Sequence, residues 1–353
     1  MKNYLVTGGC GFIGTNFVRR VMMTQPGWRI INLDALTYAG NYGNICDIDG
    51  NGRHEFVKGS ILDEALLKRI FQENELSGVI HFAAESHVDR SIWGPAAFVE
   101  TNINGTFRLL QMSLEFWKSN AVAPDFRFLN VSTDEVYGSL GPTGYFTEAT
   151  RYDPSSPYSA SKAASDHFVR AYHRTFGLPT LITNCSNNYG PYQFPEKLIP
   201  LMILNIINEQ PLPVYGDGRN VRDWLFVEDH CDALIAVIEK GAVGETYNVG
   251  GNEEKTNIAI VNLLCDTLDS RLGRGSGNSC RLIKFVADRP GHDLRYAIDA
   301  MKILQELGWS PKFSFAEGIS RTIDWYLENT DWVSSVVSGE YQRWMNINYS
   351  VRK

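Results

Sequence analysis

The chain has 353 residues, 44% of them hydrophobic and 21% charged, a size and balance that suit two globular lobes sharing a cleft better than a single core. Its 40 acidic residues outnumber its 33 basic ones, giving a net charge of −7 and excluding the broad basic face on which a nucleic-acid binder depends. Six scattered cysteines (Cys10, Cys46, Cys185, Cys231, Cys265 and Cys280) form no C-x-x-C pair, so neither a disulfide framework nor a zinc site is expected.

In chain order, the first predicted strand covers residues 3–7, leaving no room for a signal peptide and pointing to the cytoplasm. Further strands are predicted at 29–33, 54–57, 79–83, 126–132 and 180–184, with helices at 63–73, 95–118 and 158–176. Alternation without tight hairpins predicts an α/β fold with a doubly wound parallel sheet of Rossmann type. No apolar run reaches the roughly 20 residues of a membrane span.

Near Asn187 the pattern changes, and Pro191, Pro195, Pro200, Pro211 and Pro213 interrupt it. Residues 1–190 are expected to be a dinucleotide-binding domain, with 223–250 returning to it. Residues 191–222 and 251–330 read as a smaller α/β C-terminal substrate-binding lobe, and 331–353 as a C-terminal tail. Residues 271–279, rich in Gly and Ser, read as a surface loop without evident purpose.

The first strand runs into Gly8, Gly11 and Gly14, and then into an apolar helix. Glycines at this turn let backbone N–H groups approach a pyrophosphate at the helix N-terminus. Asp34, 20 residues after Gly14, stands where an acid accepts hydrogen bonds from an adenosine ribose and repels a 2′-phosphate. NAD is therefore expected rather than NADP.

Tyr158 and Lys162 form Y-x-x-x-K behind Ser155, Ser156 and Pro157, which read as capping material. Four-residue spacing puts phenol and ammonium on one helical face, where the cation is expected to lower the phenol pKa. The strand at 126–132 leads into Thr133, Asp134 and Glu135. Thr133 can hydrogen-bond the hydroxyl that Tyr158 deprotonates. Both carboxylates face one ligand only if the chain curls after Ser132, since a continuing strand would point them to opposite sides. Held close, the two split into a neutral acid and an ionised base. A solvated Asp-Glu pair on a loop is the bland alternative.

These stretches, together with DALTYAGN at 34–41, HFAAESHVDRS at 81–91, STDEVYG at 132–138, YSASK at 158–162, NNYGP at 187–191, RDWLFVEDH at 222–230 and DRPGHDLRY at 288–296, resemble the extended short-chain dehydrogenase/reductases. Within them the chain is similar to the dTDP-glucose 4,6-dehydratase family, whose related epimerases lack the Asp-Glu pair. The resemblance implies a hydro-lyase that oxidises a nucleotide-sugar at C4, eliminates water across C5 and C6, and reduces C6. Tyr158 with Lys162 would act at the C4 hydroxyl, Glu135 at C5 and Asp134 at the C6 hydroxyl.

For NAD the resemblance adds Phe12, Ile13, Ala35, Leu36, Thr37, Ser60, Ile61, Phe82, Ala83, Ala84, Glu85, Ser86, Thr101 and Asn188. Ser60 replaces the family's usual Asp near the adenine. For the substrate it implies Ser86, Thr133, Asn187, Lys197, Leu198, Pro213, Tyr215, Arg222, Asn257, Asp288, Arg289 and His292. Arg222 and Arg289 suit a diphosphate, with an interdomain salt bridge as the competing role for Arg222. The resemblance also implies a homodimer packed through the helices at 95–118 and 158–176. Neither a metal, a nucleic acid nor a membrane is an expected partner. The rivals are a UDP-, GDP- or CDP-sugar 4,6-dehydratase or a 4-epimerase on the same scaffold, and a non-catalytic nucleotide sensor.

Overall fold

A computed structural model describes residues 1–119 and 125–337, with positions 341, 343, 345 and 348 beyond them. The first six strands are β1 (Lys2–Thr7), β2 (Trp28–Asp34), β3 (His54–Lys58), β4 (Leu76–His81), β5 (Arg127–Thr133) and β6 (Thr180–Cys185). Shorter ones follow: β7 (Asn187–Tyr189), β8 (Leu212–Tyr215), β9 (Val221–Phe226), β10 (Thr246–Val249), β11 (Glu254–Thr256) and β12 (Ile283–Val286). One parallel sheet has the order β10-β6-β5-β4-β1-β2-β3, so the doubly wound α/β expectation holds.

Helices cover both faces of this sheet, which is why its central strands are apolar runs rather than alternating ones. On one face Phe17, Val18 and Val21 of helix Phe12–Thr24 join Leu234, Ile235 and Ile238 of helix Val227–Lys240. On the other, Leu67, Ile70, Leu109, Leu114, Val169 and Tyr172 pack on Leu5, Ile31 and Phe128. A second core around Tyr189, Met202, Trp224, Leu264, Phe315 and Ile323 lies beyond the sheet's carboxyl end, fed by β7, β9 and three helices.

Two elements differ from their predicted bounds by more than one residue at an end. The strand expected at 79–83 is Leu76–His81: it starts early because Gly78 lies in register against Tyr4, and the chain leaves the sheet after Phe82, whose N–H still donates to Thr7 O at 3.0 Å. Beyond it, Ala83 N donates to Thr7 Oγ1 at 3.3 Å and Glu85 N to Asn102 Oδ1 at 2.8 Å. The helix expected at 95–118 contains a π-helical stretch, Val99–Gly105, between Pro95–Phe98 and Thr106–Ser119. That extra residue per turn is a feature that concentrates at functional sites.

The Gly/Ser-rich stretch at 271–279 has a structural task. Arg274 Nη1 donates to Ile206 O at 2.9 Å, closing the carbonyl end of helix Leu198–Ile207, and Asp269 accepts from Ser279 N at 2.9 Å. Of the tail expected at 331–353, helix Thr330–Val336 is described, and most positions past 337 lie outside the described residues. Among the described residues no helix is long and apolar enough to cross a membrane.

Candidate active site

Strand order reverses between β1 and β4, and a cleft opens at the carboxyl ends of those strands. Its lining runs from Gly8, Gly11, Asp34 and Ser60 at one end to Glu135, Tyr158, Lys162 and Lys197 at the other. Every expected cofactor residue lines it except Leu36, whose N–H donates to Asp34 Oδ1 at 2.8 Å from a left-handed backbone with φ 52°.

The glycine turn is built for close approach. A Cβ on Gly14 would lie 2.2 Å from Gly8 O, and one on Gly8, at φ +75°, would lie 2.6 Å from Ala83 N. Gly11 caps helix Phe12–Thr24 without any side-chain hydrogen bond, so the helix presents its first N–H groups to the cleft. Asp34 Oδ2 accepts from Cys10 N at 2.8 Å. With one backbone donor on each oxygen, the carboxylate keeps lone pairs for a ribose diol. Buried Asn187 Oδ1 and Gln193 Oε1 have no partner among the described residues and border the same cleft. The residues present thus fit a dinucleotide.

Local chemistry fixes the segments between. The π-helical stretch brings Thr101 to the cleft while Asn102 clamps Glu85, its Nδ2 donating to Glu85 O at 2.9 Å. Asn188 is held by His230 Nδ1 at 2.9 Å.

Helix Pro157–Phe176 begins as expected, with Ser156 as N-cap, Pro157 in the first turn and a capping box closed by Ser159. It carries Tyr158 and Lys162 into the cleft. The chain curls one residue later than anticipated: Thr133 caps a 3-10 turn, Asp134–Tyr137, that ends at Gly138 with φ 88°. That turn brings both acids to the cleft.

Their surroundings separate them. Burial, then Glu135, then Asp223 push Asp134 well above the usual carboxylate range. Burial also raises Glu135, but Arg289, Lys197 and Arg222 oppose it. Both carboxyls are thus raised, Asp134 with acids beside it and Glu135 with three cations holding it back. Lys162 behaves otherwise than expected: its Nζ donates to Val131 O at 2.8 Å, and burial and Glu135 push the Tyr158 phenol up rather than down. Thr133 hydrogen-bonds that phenol.

Of the substrate candidates, Ser86, Thr133, Asn187 and Lys197 line the cleft, with Lys197 Nζ donating to Ser86 O at 3.0 Å. Tyr215, Asp288, Arg289 and His292 cluster beyond the rim. There Tyr215 OH donates to Asp89 Oδ2 at 2.9 Å, His292 Nδ1 meets Asp288 Oδ1 at 2.6 Å, and Arg289 reaches Asp89 at 3.9 Å. Arg222 donates to Val221 O at 2.7 Å and Asp293 O at 3.0 Å and stacks on Tyr296, so it makes no interdomain salt bridge. Leu198, Pro213 and Asn257 sit in the smaller core region without lining the cleft.

Sequence reasoning missed Asp89, Cys185, Glu196 and Asp166. Only Asp166 carried a readable signal, standing four residues past Lys162. Among the described residues no group of three or more His, Cys, Asp or Glu could hold a metal ion.

Comparisons with known proteins show the family of the chain. The profile of the family described as GDP-mannose 4,6 dehydratase matches residues 5–322. A dTDP-glucose 4,6-dehydratase from Xanthomonas campestris pv. campestris is 58% identical over 348 residues, covering 97% of this chain and 98% of the relative. A dTDP-glucose 4,6-dehydratase from Streptomyces venezuelae, solved with NAD bound, superposes with a TM-score of 0.86 at 48% identity, over 94% of this chain and 98% of that one. A Thermus thermophilus UDP-glucose 4-epimerase shares the fold at a TM-score of 0.81 but only 26% identity, over 93% and 99%.

Proposed function

The chain belongs to the nucleotide-sugar 4,6-dehydratase family, on its dTDP-glucose branch, and from that premise we propose how its own residues carry the reaction. It is an NAD-dependent dTDP-glucose 4,6-dehydratase, converting dTDP-glucose to dTDP-4-keto-6-deoxyglucose with loss of water. The observation that carries the assignment of roles is the adjacent Asp134–Glu135 pair, turned into one cleft and split in acidity by its surroundings.

NAD, when bound, supplies the hydride acceptor at C4 and the matching donor at C6. Gly8, Gly11, Phe12, Ile13 and Gly14 would hold its pyrophosphate, and Asp34 its adenosine ribose. Tyr158 takes the C4 hydroxyl proton as the phenolate, the form that the Lys162 ammonium has to favour against burial and Glu135, with Thr133 as the second hydrogen-bond partner of that hydroxyl. The C4 ketone makes the C5 hydrogen acidic, and Glu135 removes it. Asp134 gives its proton to the C6 hydroxyl, which leaves as water. Glu135 then returns a proton to C5 as C6 is reduced. Turnover leaves Asp134 without its proton and Tyr158 with one, and exchange with solvent returns both to their starting states.

Residues 191–222 and 251–330 form the sugar-nucleotide lobe in this reading. Arg289, whose Nε has no protein partner, is better placed than Arg222 to fork onto a diphosphate. The active assembly is a homodimer: Phe107, Phe168 and Phe176 are 42%, 38% and 43% exposed on neighbouring helices, an apolar strip that suits a second copy. Free thiols fit the reducing cytoplasm.

The test is incubation of the purified chain with dTDP-glucose, without added NAD, followed by mass spectrometry. A product lighter by one water is expected. No product even with NAD supplied would overturn the assignment.

A further inference from the structure

Helix Pro157–Phe176 carries a third group at the same four-residue spacing: Tyr158, Lys162 and Asp166 share one face. Asp166 is fully buried and Lys162 nearly so. Between them they are stitched to three consecutive residues of β5. Lys162 Nζ donates to Val131 O at 2.8 Å, while Asp166 accepts from Asn130 Nδ2 at 2.8 Å and Ser132 Oγ at 2.7 Å, on either side of it. Tyr152 OH adds a third donor at 3.0 Å.

We propose that Asp166 is a positioning residue for Lys162, its buried carboxylate being the counter-charge that holds the lysine ammonium beside Tyr158. An ammonium taken out of water without an anion loses its proton readily. Among the described residues the neighbouring elements supply no anion. His81 on β4 is driven neutral by burial, its pKa falling to about 3, and Cys185 on β6 is a buried thiol. Tyr152 and Tyr137, which face Asp166, are buried phenols held protonated. Arg170, on the far side, donates to Tyr152 OH at 2.8 Å and lies over its ring, adding a cation rather than an anion. Burial lowers the affinity of Lys162 for its proton and the Asp166 charge is the larger influence opposing it; burial likewise raises Asp166, and Lys162 is the largest influence opposing that.

The inference rests on the role given to Tyr158 and Lys162. Its test is the pH profile of single-turnover C4 oxidation in the full enzyme. Asp166→Asn keeps the side-chain shape and removes the charge. Lys162 then loses its proton at lower pH, and the high-pH limb moves down by about one unit. Tyr152→Phe removes a hydrogen bond to Asp166 but leaves the charge, and its limb stays in place. A uniform loss of rate in Asp166→Asn with an unmoved limb, or the same shift in both variants, overturns the proposal. If Asp166→Asn does not fold, lysine-labelled NMR of the wild-type holoenzyme decides, since a neutral Lys162 amine at neutral pH is equally fatal. Tyr158→Phe separates the two levels: if it stays active, the parent reading fails, whereas an inactive Tyr158→Phe with an unmoved Asp166→Asn limb sinks only the counter-charge.

Discussion

Asp134 and Glu135 are neighbours of nearly equal intrinsic acidity, so their division of labour is imposed by position. Asp134 is 2% exposed and flanked by acids, while Glu135 looks toward three cations. The sign of the pH dependence follows. Asp134 must keep a proton, so turnover falls as pH rises through its raised pKa; Glu135 must lose one, so turnover falls as pH drops through its own. A bell-shaped profile of kcat is expected. Glu135→Gln should lower turnover about 10²–10⁴-fold and remove exchange of the C5 hydrogen with solvent deuterium, while C4 oxidation persists. Loss of C4 oxidation as well would contradict the assignment. At this scale the sequence was informative about identity and poor on environment: Y-x-x-x-K was visible, but not that burial and Glu135 would raise the phenol. Such terms come from β5, β6 and the 289–293 segment, distant in sequence.

At the scale of elements, the glycine turn was legible because its constraint is local. Gly14→Ala would set a methyl against Gly8 O, and since the obstacle is backbone, the turn must shift. We expect NAD affinity to fall at least tenfold, read by cofactor retention through gel filtration, with the sheet unaffected by far-UV circular dichroism. Helix Pro157–Phe176 was legible for a similar reason, its start written in Ser156 and Pro157. By contrast, the π-helical stretch had no local signature. It exists because Asn102 clamps Glu85 and because Gly105 packs against Ile61, where a Cβ would come within 2.4 Å of the Ile61 side chain. The role of Arg274 was hidden likewise, since its partners belong to a helix over 60 residues earlier. Arg274→Ala should cost about 0.3–1 kcal/mol in denaturant titration and leave turnover intact.

At the scale of the whole molecule, Phe107→Asp should convert a dimer into a monomer by light scattering, because a charge at an apolar strip cannot be buried without a partner. An unchanged mass would remove the dimer surface from those helices. Asn348 draws a late part of the chain to the rim, its Nδ2 lying 3.3 Å from Asp89 Oδ2 and 3.2 Å from the Tyr215 hydroxyl. No pattern in the sequence announced that contact, whose partners stand 259 and 133 residues earlier. The return of β10 to the large sheet bears on how the protein is made. A ribosome releases β6 roughly 60 residues before β10, some 3–12 s at ~5–20 residues per second. During that interval the outer edge of β6 is an open template for any other chain's strand. Crowded synthesis is therefore a condition that exposes this protein to aggregation through that edge.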